Sequence, residues 1–357
     1  MVVLIFSADE LSGISRTLFR AAGATEHEAK IVTDELIESN LMGIDSHGIM
    51  RIAQYLNQIG EGQIKPAAPI ETVFETDNSA IVDCNSNFGM VCAEKMTRIV
   101  IEKAKNNGVA IAASRHCNHV GRLGSYTQKI AEEGFFGFAA VNSSRHGHFV
   151  APFGGAEGRL ATNPLSYAVP TSGDPILLDM STSMMAEGKI RIMLQQGKKL
   201  PDMCVLDAEG NFTDDPAKFY GPPKGTILPL GGTMGYKGFG LGLLVEILGS
   251  AISGVMLTPD GEKDKYINGL FMLAINPGIF GTPNEFASHI DMLKNYILSS
   301  KPQAGTEGVV MPGELDFKTK RRRAANGIPV EEITWRSIVE AGKIFGVDAE
   351  ELRKAGK

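Results

Sequence analysis

The sequence predicts an α/β protein whose centre alternates strands and helices and whose two ends are helical. Residues 7–10 and 25–28 each place Glu three residues after a Ser or Thr, which is the capping box that opens a helix. From Ala80 onward, short apolar runs alternate with amphipathic stretches. Residues 306–357 return to charged, helical patterns. We therefore expect a helical domain built from both chain ends, next to an α/β centre.

The elements can be placed in order along the chain. Helices are expected at 8–23, 26–43 and 46–60, each between a polar cap and a glycine. Strands are expected at 80–83, 109–113, 135–141, 166–169, 176–180 and 270–275. Further helices are expected at 90–105, from 120 onward, and at 184–196, 238–253 and 286–298, with a loop at 201–232. These patterns divide the chain into a helical part (1–75), an α/β region (76–305) and carboxy-terminal helices (306–357) that pack with the first part.

Composition and charge disfavour several classes of function. With 357 residues, 43% of them hydrophobic, the chain has the make-up of a globular protein with a sizeable core. A formal charge of −6 disfavours nucleic acid or an anionic membrane as a partner. The basic run 318–323 is expected to be a solvated helix face, with a cofactor-phosphate contact as the weaker alternative. The apolar stretch 238–255 contains Glu246 and five glycines, which fits a buried helix rather than a membrane span.

The cysteines and the amino terminus favour a cytoplasmic protein. Cys84, Cys92, Cys117 and Cys204 form neither a C-x-x-C pair nor a zinc spacing. In a chain of this size they are expected to be reduced thiols. Residues 2–6 are apolar but too few for a signal peptide, and two acidic residues follow them shortly.

The segment 43–51 is the first candidate for a functional site. Asp45 or Ser46 can cap a new helix, which would place His47 in its first turn. Arg51 comes four residues after His47, so both side chains can face one small ligand. Imidazole moves protons near neutral pH, and guanidinium binds a carboxylate through two parallel hydrogen bonds. The alternative is a surface helix start with an incidental histidine.

The second candidate is the loop 114–121, which joins a predicted buried strand to a helix. Sheets in α/β proteins place ligands at such strand ends. His116 and His119 are three residues apart, but no third histidine or carboxylate stands nearby, so a metal site is the minor alternative. We favour an imidazole acid/base or a donor that orients a ligand, and we expect no metal.

Four polar or glycine-rich runs could hold a nucleotide or simply cap helices. They are 160–164, 179–183, 231–238 and 311–314. The third can form an anion-binding nest of backbone N–H groups, to which Lys237 adds charge. The chain contains no G-x-G-x-x-G, no G-x-x-x-x-G-K-[ST] and no G-x-S-x-G. A standard Rossmann site, a P-loop and a serine hydrolase elbow are therefore disfavoured.

Together, these segments resemble the malate/L-lactate dehydrogenase type 2 family of NAD(P)-dependent oxidoreductases. The likeness lies in Asp-Ser-His-Gly at 45–48 with Arg51, in 114–121, in Ala-Thr-Asn-Pro at 161–164, in 179–183, and in the Tyr-Lys-Gly and Pro-Gly-Glu turns. It covers nearly the whole chain in consistent order. The resemblance implies a non-Rossmann nucleotide-binding domain with a largely antiparallel mixed sheet in the α/β region. It also implies a homodimer with its sites near the interface.

By position, the resemblance implies roles for individual residues. His119 would be the proton acceptor, with Ser46 and His47 as a second acid/base candidate. A sheet-end position suits the acceptor, so we favour His119 over His47. Arg51 and Ser143 would contact the substrate. The residues expected to line the cofactor are Arg122, Thr162, Asn163, Asp179, Met180, Ser181, Tyr236, Lys237, Gly238, Gly313 and Glu314.

We therefore expect reversible hydride transfer between a small 2-hydroxy acid and NAD, with NADP as the alternative cofactor. Malate/oxaloacetate and lactate/pyruvate are the favoured substrates; the resemblance also allows ureidoglycolate, sulfolactate, diketogulonate or a cyclic imino acid. The arginines available for a second carboxylate, as in malate, are Arg115, Arg122, Arg159 and Arg191. The rival functions are a non-catalytic small-anion binding protein and a metal-dependent lyase that uses His116 and His119.

Overall fold

The computed structural model describes residues 3–201, 203–254 and 267–355. The strands are β1 (Val3–Phe6), β2 (Glu71–Glu75), β3 (Ser79–Asp83), β4 (Val109–Arg115), β5 (Phe136–Ser143), β6 (Leu165–Val169), β7 (Ile176–Met180), β8 (Val205–Leu206), β9 (Phe212–Thr213), β10 (Thr226–Ile227), β11 (Asn268–Ile275) and β12 (Ile328–Glu331). The helices are α1 (Ala8–Ala21), α2 (Glu26–Leu41), α3 (Arg51–Gly60), α4 (Gly89–Asn107), α5 (Gly124–Glu132), α6 (Glu187–Gln195), α7 (Pro216–Tyr220), α8 (Tyr236–Glu246), α9 (Pro283–Leu298), α10 (Glu314–Asn326), α11 (Glu332–Lys343) and α12 (Ala349–Ala355). The predicted mixed α/β class is confirmed.

A seven-stranded sheet in the order β2-β3-β4-β11-β5-β6-β7 forms the centre of the molecule. β3 and β4 are parallel, and the other neighbouring pairs are antiparallel, so the expected mostly antiparallel sheet is confirmed. β11 comes from late in the chain but lies between β4 and β5. It therefore holds the end of β4, which leads to His119, beside the end of β5, which carries Ser143.

Two helices, α4 and α5, pack on this sheet. The helices contribute Met96 and Tyr126 to the apolar cluster beneath them, and the strands contribute small residues such as Ala112, Ala139 and Ala274. All five are fully buried. Small strand residues let the helices approach closely, which fixes the start of α5 and the loop before it against the sheet.

A separate apolar cluster draws on both ends of the chain. β1 pairs antiparallel with β12, and the ring centroids of Phe6 and Trp335 are 4.9 Å apart. Leu18 of α1 and Leu36 of α2 are fully buried in the same cluster. The two ends thus share one core, whereas the division into domains stays a prediction.

The stretch after Pro201, expected to be a loop, contains a small three-stranded sheet in the order β10-β8-β9. Val205 and Ile227 from its strands are buried against Ile190 of α6. Strands of two residues are too short to show an alternating pattern, so the sequence gives no sign of them. The edge strand β2 is not predicted for a different reason: all five of its residues are exposed, so it shows no alternation of buried and exposed positions.

The expectation of a buried helix is wrong for α8. Leu241, Leu243 and Leu244 of α8, and Ile247 in the π-helical turn that follows it, are between 37% and 46% exposed, while Glu246 is buried. A helix that is apolar all round normally has every face covered. One face of α8 is instead open in the single chain. In the described part of the chain, no helix is long and apolar enough to cross a bilayer.

Two of the four cysteines are paired, which corrects the expectation of reduced thiols. Cys84 at the end of β3 and Cys92 in α4 form a disulfide, with Cα atoms 5.7 Å apart. The tight turn between β3 and α4 folds the chain back, so a spacing that matches no cysteine motif still brings the sulfurs together. Cys117 and Cys204 are buried and do not take part in a disulfide.

Candidate active site

The segment that carries His47 and Arg51 is not one continuous helix, contrary to expectation. Asp45–His47 forms a short 3-10 turn, and α3 begins only at Arg51. The interruption lies at Gly48, whose backbone is extended and packs against Asn40; a Cβ at this position would be 2.1 Å from the Asn40 Oδ1. The 3-10 turn and the helix therefore meet at an angle that only a glycine permits.

Two side chains hold this segment in place. The Asn40 amide donates to the Asp45 carboxylate at 2.6 Å and accepts from the Ile49 N–H at 2.8 Å. Arg323 of α10 donates to both carboxylate oxygens of Asp45, at 2.6 and 3.0 Å. Because the Arg323 side chain is only 13% exposed, this bidentate pair is stronger than an ordinary surface ion pair. A residue from the far end of the chain thus supports the site.

The basic run of α10 is a solvated helix face only in part, since Lys318, Arg321 and Arg322 are exposed whereas Arg323 is largely buried. Besides Arg323, Lys320 pairs with Glu38 and Arg321 pairs with Asp174, each at 2.7 Å. These ion pairs tie α10 to α2 and to the turn before β7. Most of the charge in the run therefore has a partner within the protein.

Arg51 is oriented with part of its guanidinium left available. Its Nε donates to the Ser46 carbonyl at 2.7 Å, and its Nη1 donates to Gln54 at 2.7 Å. Within the described ranges, no hydrogen bond engages Nη2. The Ser46 hydroxyl lies 3.0 Å from Nδ1 of His47. The Arg51 side chain is therefore fixed, yet it can still donate to an anion.

His119 lies in the loop between β4 and α5, close against α4. Gly89 of α4 permits this approach, since a Cβ there would be 2.4 Å from the His119 carbonyl oxygen. The hydroxyl of Tyr55, from α3, is 2.6 Å from Nδ1 of His119. The Gly121 N–H donates to the same nitrogen at 3.3 Å. The position of the His119 ring is thus fixed from two sides.

The rings of His47 and His119 stack, with centroids 5.6 Å apart and planes 25° apart. Burial, together with the charges of Arg51 and Arg122, lowers the pKa of His47 to about 3. Burial, Arg51 and His47 hold the pKa of His119 well below its usual value. Both imidazoles are therefore neutral at pH 7 in the free protein, and each offers one donor and one acceptor nitrogen.

His116 does not join this pair. Its backbone is left-handed, with φ of 48°, and its Nδ1 lies 2.9 Å from the Asp83 carboxylate. His119 instead contacts Tyr55. The two histidines of the loop, which the lyase alternative would use together, thus engage different partners.

Ser143, expected to contact the substrate, lies at the same edge of the sheet as His119. It pairs in register with Asn268 of β11, whose side chain accepts from the Val120 N–H at 3.3 Å. Gly147 lies directly over Ser143, because a Cβ there would be 2.7 Å from the hydroxyl oxygen. The structure therefore brings Ser143 and the His119 loop together through Asn268.

Arg122 and Asp179, both expected to line the cofactor, meet beside the start of α5. Arg122 is 2% exposed and donates to Ser125 and Gln128, each at 3.2 Å. Its Nη1 is buried and has no hydrogen-bond partner among the described residues. Asp179 accepts from the Gly124 N–H at 2.7 Å. An unpaired buried guanidinium nitrogen is costly, so it marks a place where a polar ligand group would be stabilised.

The Pro-Gly-Glu turn is fixed to the strand that carries Asp179. The Leu177 N–H of β7 donates to the Pro312 carbonyl, and a Cβ on Gly313 would be 2.9 Å from the Leu177 side chain. Glu314 closes its own turn by accepting from the Met311 N–H at 3.2 Å. The turn therefore lies at the same sheet edge as Asp179.

Asp316, in the first turn of α10, is a carboxyl that sequence reasoning missed. Burial raises its pKa, and the Arg122 charge opposes that rise. Burial likewise raises the pKa of Asp179, against Arg122, and the Asp316 charge adds to the rise. The three side chains therefore interact through their charges, although no motif joins them.

Among the other expected cofactor residues, Asn163 is turned inward. Its amide donates to the Gly242 carbonyl at 2.9 Å and to Glu246 at 3.0 Å, and it is fully buried. It therefore fastens its loop to α8. Thr162, Met180 and Ser181 are half-buried near the same strand ends, β6 and β7.

The start of α8 fits a phosphate. The helix begins at Tyr236 and has no side-chain cap, since Gly235 precedes it. The first backbone N–H groups of such a helix lack internal partners and attract anions. Lys237 is exposed beside them, and Gly238 packs so tightly that a Cβ would be 2.2 Å from the Leu230 carbonyl oxygen.

Tyr55 is the functional residue that the sequence analysis missed most plainly. It comes four residues after Arg51, so the two share one face of α3. That spacing could have suggested that Tyr55 points at the same ligand site. Its partner His119 could not be identified, because the contact depends on how the α4–α5 region packs.

Stacked neutral imidazoles beside a partly free guanidinium have the chemistry that proton transfer next to a bound anion requires. The chain belongs to the malate/L-lactate dehydrogenase family, whose model matches residues 6–339. It is therefore a 2-hydroxy acid oxidoreductase, and the family works with a nicotinamide cofactor.

Individual relatives are similar over almost the whole chain. A malate dehydrogenase from Pyrococcus abyssi is 34% identical over 352 residues, which is 96% of each protein. Hydroxycarboxylate dehydrogenase B from Escherichia coli is 33% identical and covers 98% of this chain and 96% of its own. The structure of sulfolactate dehydrogenase from Methanocaldococcus jannaschii superposes with a TM-score of 0.88, at 32% identity, over 98% of this chain and 99% of that one.

Proposed function

We propose that this protein catalyses reversible hydride transfer between C2 of a small 2-hydroxy acid and the nicotinamide C4, with His119 moving the proton. The observation that carries the proposal is the stack of His47 and His119 beside Arg51. The bound nicotinamide supplies or accepts the hydride. The protein supplies the group that moves the proton and the side chain that binds the acid.

Arg51 holds the carboxylate of the acid. Its Nε and Nη1 are already engaged, so the side chain is ordered before the ligand arrives. Such preorganisation lets the charge-assisted bonds form without further ordering of the arginine. Ser143, at the end of β5, would contact the substrate on the side of the reacting group that is away from Arg51.

His119 takes the hydroxyl proton in oxidation and returns a proton to the 2-oxo oxygen in reduction. Its pKa is depressed in the free protein, partly by the Arg51 charge. A bound carboxylate offsets that charge, so the pKa rises when substrate is present. Proton acceptance is thereby coupled to substrate binding. His47, with Ser46 at its Nδ1, orients the substrate or relays the proton onward.

The cofactor residues lie in two groups. Tyr236, Lys237 and Gly238 offer an uncapped helix start to the pyrophosphate. The other group is set along the β7 edge of the sheet and comprises Arg122, Thr162, Met180, Ser181, Gly313 and Glu314, with Asp179. We propose NAD as the cofactor, with NADP tested beside it. The α/β region that carries both groups would then be a nucleotide-binding domain without the Rossmann glycine motif.

Of the two favoured substrate pairs, malate/oxaloacetate agrees better with the charges. Both Arg51 and Arg122 act on His47, so two cations lie near the reacting groups. Their field favours a dianion over a monoanion. Arg159 and Arg191 are exposed and pair with Glu157 and Glu187 respectively. Arg115 donates to the Ser253 carbonyl at 2.8 Å and is not among the charges that act on His47, so Arg122 is the better candidate for the second charge. A malate dehydrogenase and a sulfolactate dehydrogenase among the relatives also bear the names of dianionic substrates.

A rate comparison tests this assignment. Oxaloacetate, pyruvate and a bulkier 2-oxo acid would each be assayed with NADH and NADPH by the loss of absorbance of the reduced cofactor. We expect turnover with oxaloacetate at the highest kcat/KM. Faster turnover of pyruvate would contradict the dianion preference. Saturable binding of these acids with no turnover would support the non-catalytic anion-binding alternative.

We also propose a homodimer that forms through the open face of α8. Leu243, Leu244 and Ile247 are each more than 40% exposed there, and such apolar patches mark interaction sites. Sedimentation of the protein should give twice the monomer mass. Leu244→Asp should shift it towards the monomer, while Ile333→Asp, at an exposed position on α11, should not.

A cytoplasmic location completes the proposal, because charged dinucleotides are retained inside cells. The Cys84–Cys92 pair runs against this, since reducing compartments disfavour disulfides. Thiol titration of the unfolded protein separates the two cases. The paired form should show two thiols, from Cys117 and Cys204, and a fully reduced form should show four.

A further inference from the structure

Tyr55 is buried between α3 and the loop that carries His119. It is 1% exposed, and its hydroxyl lies 2.6 Å from Nδ1 of His119. Burial raises the pKa of Tyr55, so its hydroxyl keeps its proton across the physiological range. Because the hydroxyl is hydrogen-bonded to the imidazole, the tyrosine can act on a ligand through His119.

The hydrogen bonds at His119 identify which ring nitrogen carries the proton. The backbone N–H of Gly121 points at Nδ1, at 3.3 Å, and a backbone N–H can only donate. Nδ1 must therefore present its lone pair, and the proton of the neutral ring lies on Nε2. In that state the Tyr55 hydroxyl is the second donor to Nδ1.

We infer that Tyr55 is a positioning residue that holds His119 as its Nε2–H tautomer, with Nε2 directed to the substrate. The inference rests on the proposed function for its catalytic consequence, although the tautomer itself does not depend on it. In the reductive direction, the bound acid raises the pKa of the ring, which takes up a second proton at Nδ1. Nε2–H then breaks as the new O–H bond forms on the 2-oxo oxygen, and a neutral ring with its proton on Nδ1 remains. The hydrogen bond between the Tyr55 hydroxyl and Nδ1 thus keeps Nε2, the nitrogen that carries the transferred proton, directed to the oxo acid.

The backbone around His119 is tightly packed, so the Tyr55 hydroxyl alone determines the side-chain hydrogen bonding at Nδ1 of His119. Gly121 has a left-handed φ of 76°, and a Cβ there would be 3.2 Å from the Met90 side chain. Gly89 packs against the His119 carbonyl from the other side. The loop cannot shift easily to find another partner for Nδ1. A tyrosine hydroxyl can reverse and accept from Nδ1–H, so Tyr55 keeps its hydrogen bond when substrate binding adds a proton to Nδ1, whereas the longer contact from the Gly121 N–H is lost.

The matched control is Tyr126, a second buried tyrosine in the same region. Its hydroxyl donates to the Val120 carbonyl, one residue from His119, and does not touch the imidazole. Tyr55→Phe and Tyr126→Phe therefore each remove one buried hydroxyl next to the same loop. Only the first removes a hydrogen bond to the ring.

The test combines nitrogen NMR and kinetics on the full-length protein. With ¹⁵N-labelled histidine, the His119 signals would be assigned by their loss in His119→Gln. We expect the wild-type spectrum to show the proton on Nε2, and Tyr55→Phe to show mixed tautomers. Tyr55→Phe should lower kcat for the 2-oxo acid roughly 10-fold to 100-fold with KM changed less than about threefold, as expected when an acid/base group loses its orientation. Tyr126→Phe should keep both the tautomer and kcat.

Several outcomes would overturn the inference. A wild-type spectrum with the proton on Nδ1 would do so without any variant, even if Tyr55→Phe failed to fold. Unchanged kcat and an unchanged tautomer in Tyr55→Phe would do so as well, as would an equal loss of kcat in both variants. A wild-type protein with no turnover would instead count against the proposed function, while the spectrum would still decide the tautomer.

Discussion

The imidazole rings of His47 and His119 stack 5.6 Å apart, although one precedes α3 and the other follows β4. Burial and the neighbouring arginine charges keep both rings neutral in the free protein. A neutral pair can pass a proton in either direction once an anion offsets Arg51. This relationship underlies each of the following predictions.

Replacing His119 should remove the proton-transfer step. His119→Ala is expected to lower kcat about 100-fold or more with a modest change in KM, because general acid–base catalysis contributes factors of that size. His116→Ala is the control, since His116 contacts Asp83 in the same loop and should keep near-wild-type kcat. Steady-state kinetics would check both. Unchanged kcat in His119→Ala would exclude the proposed role.

Arg51→Ala should mainly weaken binding of the acid. Loss of its charge-assisted bonds to a carboxylate should cost about 2–3 kcal/mol, which corresponds to a rise in KM of roughly 30-fold to 150-fold. The methyl ester of the same oxo acid lacks that carboxylate and provides the comparison. Wild type and variant should handle the ester alike; an equal penalty on acid and ester would mean that Arg51 acts in another way.

The bond between Arg323 and Asp45 should matter for the site although Arg323 is remote in sequence. Arg323→Gln is expected to lower the free energy of unfolding by about 1–2 kcal/mol, because it leaves a half-buried carboxylate without its bidentate partner. It should also lower kcat/KM by loosening the 45–47 turn. Arg322→Gln, at an exposed position one residue earlier, is the control and should change neither quantity. Denaturant titration and kinetics would check both, and equal effects of the two variants would contradict this role.

Protein stability should fall on the acid side of pH 6.5. The pKa of His47 is about 3 in the folded protein and 6.5 in the unfolded chain, so the unfolded chain binds the proton more readily between these values. Stability from the neutral ring is thus complete above pH 6.5 and is lost as the pH falls towards 3. At pH 5 the protonation of this ring should lower the free energy of unfolding by about 1–2 kcal/mol. The lower figure allows for the partial exposure of the ring.

His47→Gln should flatten that dependence in urea unfolding measured from pH 7 to pH 5. His27→Gln, in an exposed first turn of α2, should leave the slope as in the wild type. An unchanged slope in His47→Gln would show that the folded protein does not keep this ring neutral.

Local signals explain which parts of the fold could be predicted. The capping boxes before α1 and α2, and the buried strands β4 and β5, follow from patterns within a few residues, and these elements were placed closely. The break at Gly48 could not be predicted, because it depends on contact with Asn40 from α2. The open face of α8 could not be predicted because composition does not show what covers a surface, and the strands near Val205 could not because two residues are too few to show a pattern.

The candidate site shows the same limit. His47, Arg51 and His119 stood out because their chemistry and spacing are local. Tyr55 and Asp316 did not, because each acquires its role from a neighbour that is distant in sequence. The Cys84–Cys92 pair likewise depends on a turn that brings a strand end back to a helix.

Transfer of a labelled hydride tests the central claim most directly. The protein would be incubated with oxaloacetate and a reduced nicotinamide cofactor in which both hydrogens at C4 are deuterium, and the product acid would be analysed by NMR and mass spectrometry. The account predicts one deuterium at C2 of malate in the wild type and its near absence in His119→Ala over the same time. Product without deuterium at C2, or no product with any 2-oxo acid, would contradict it.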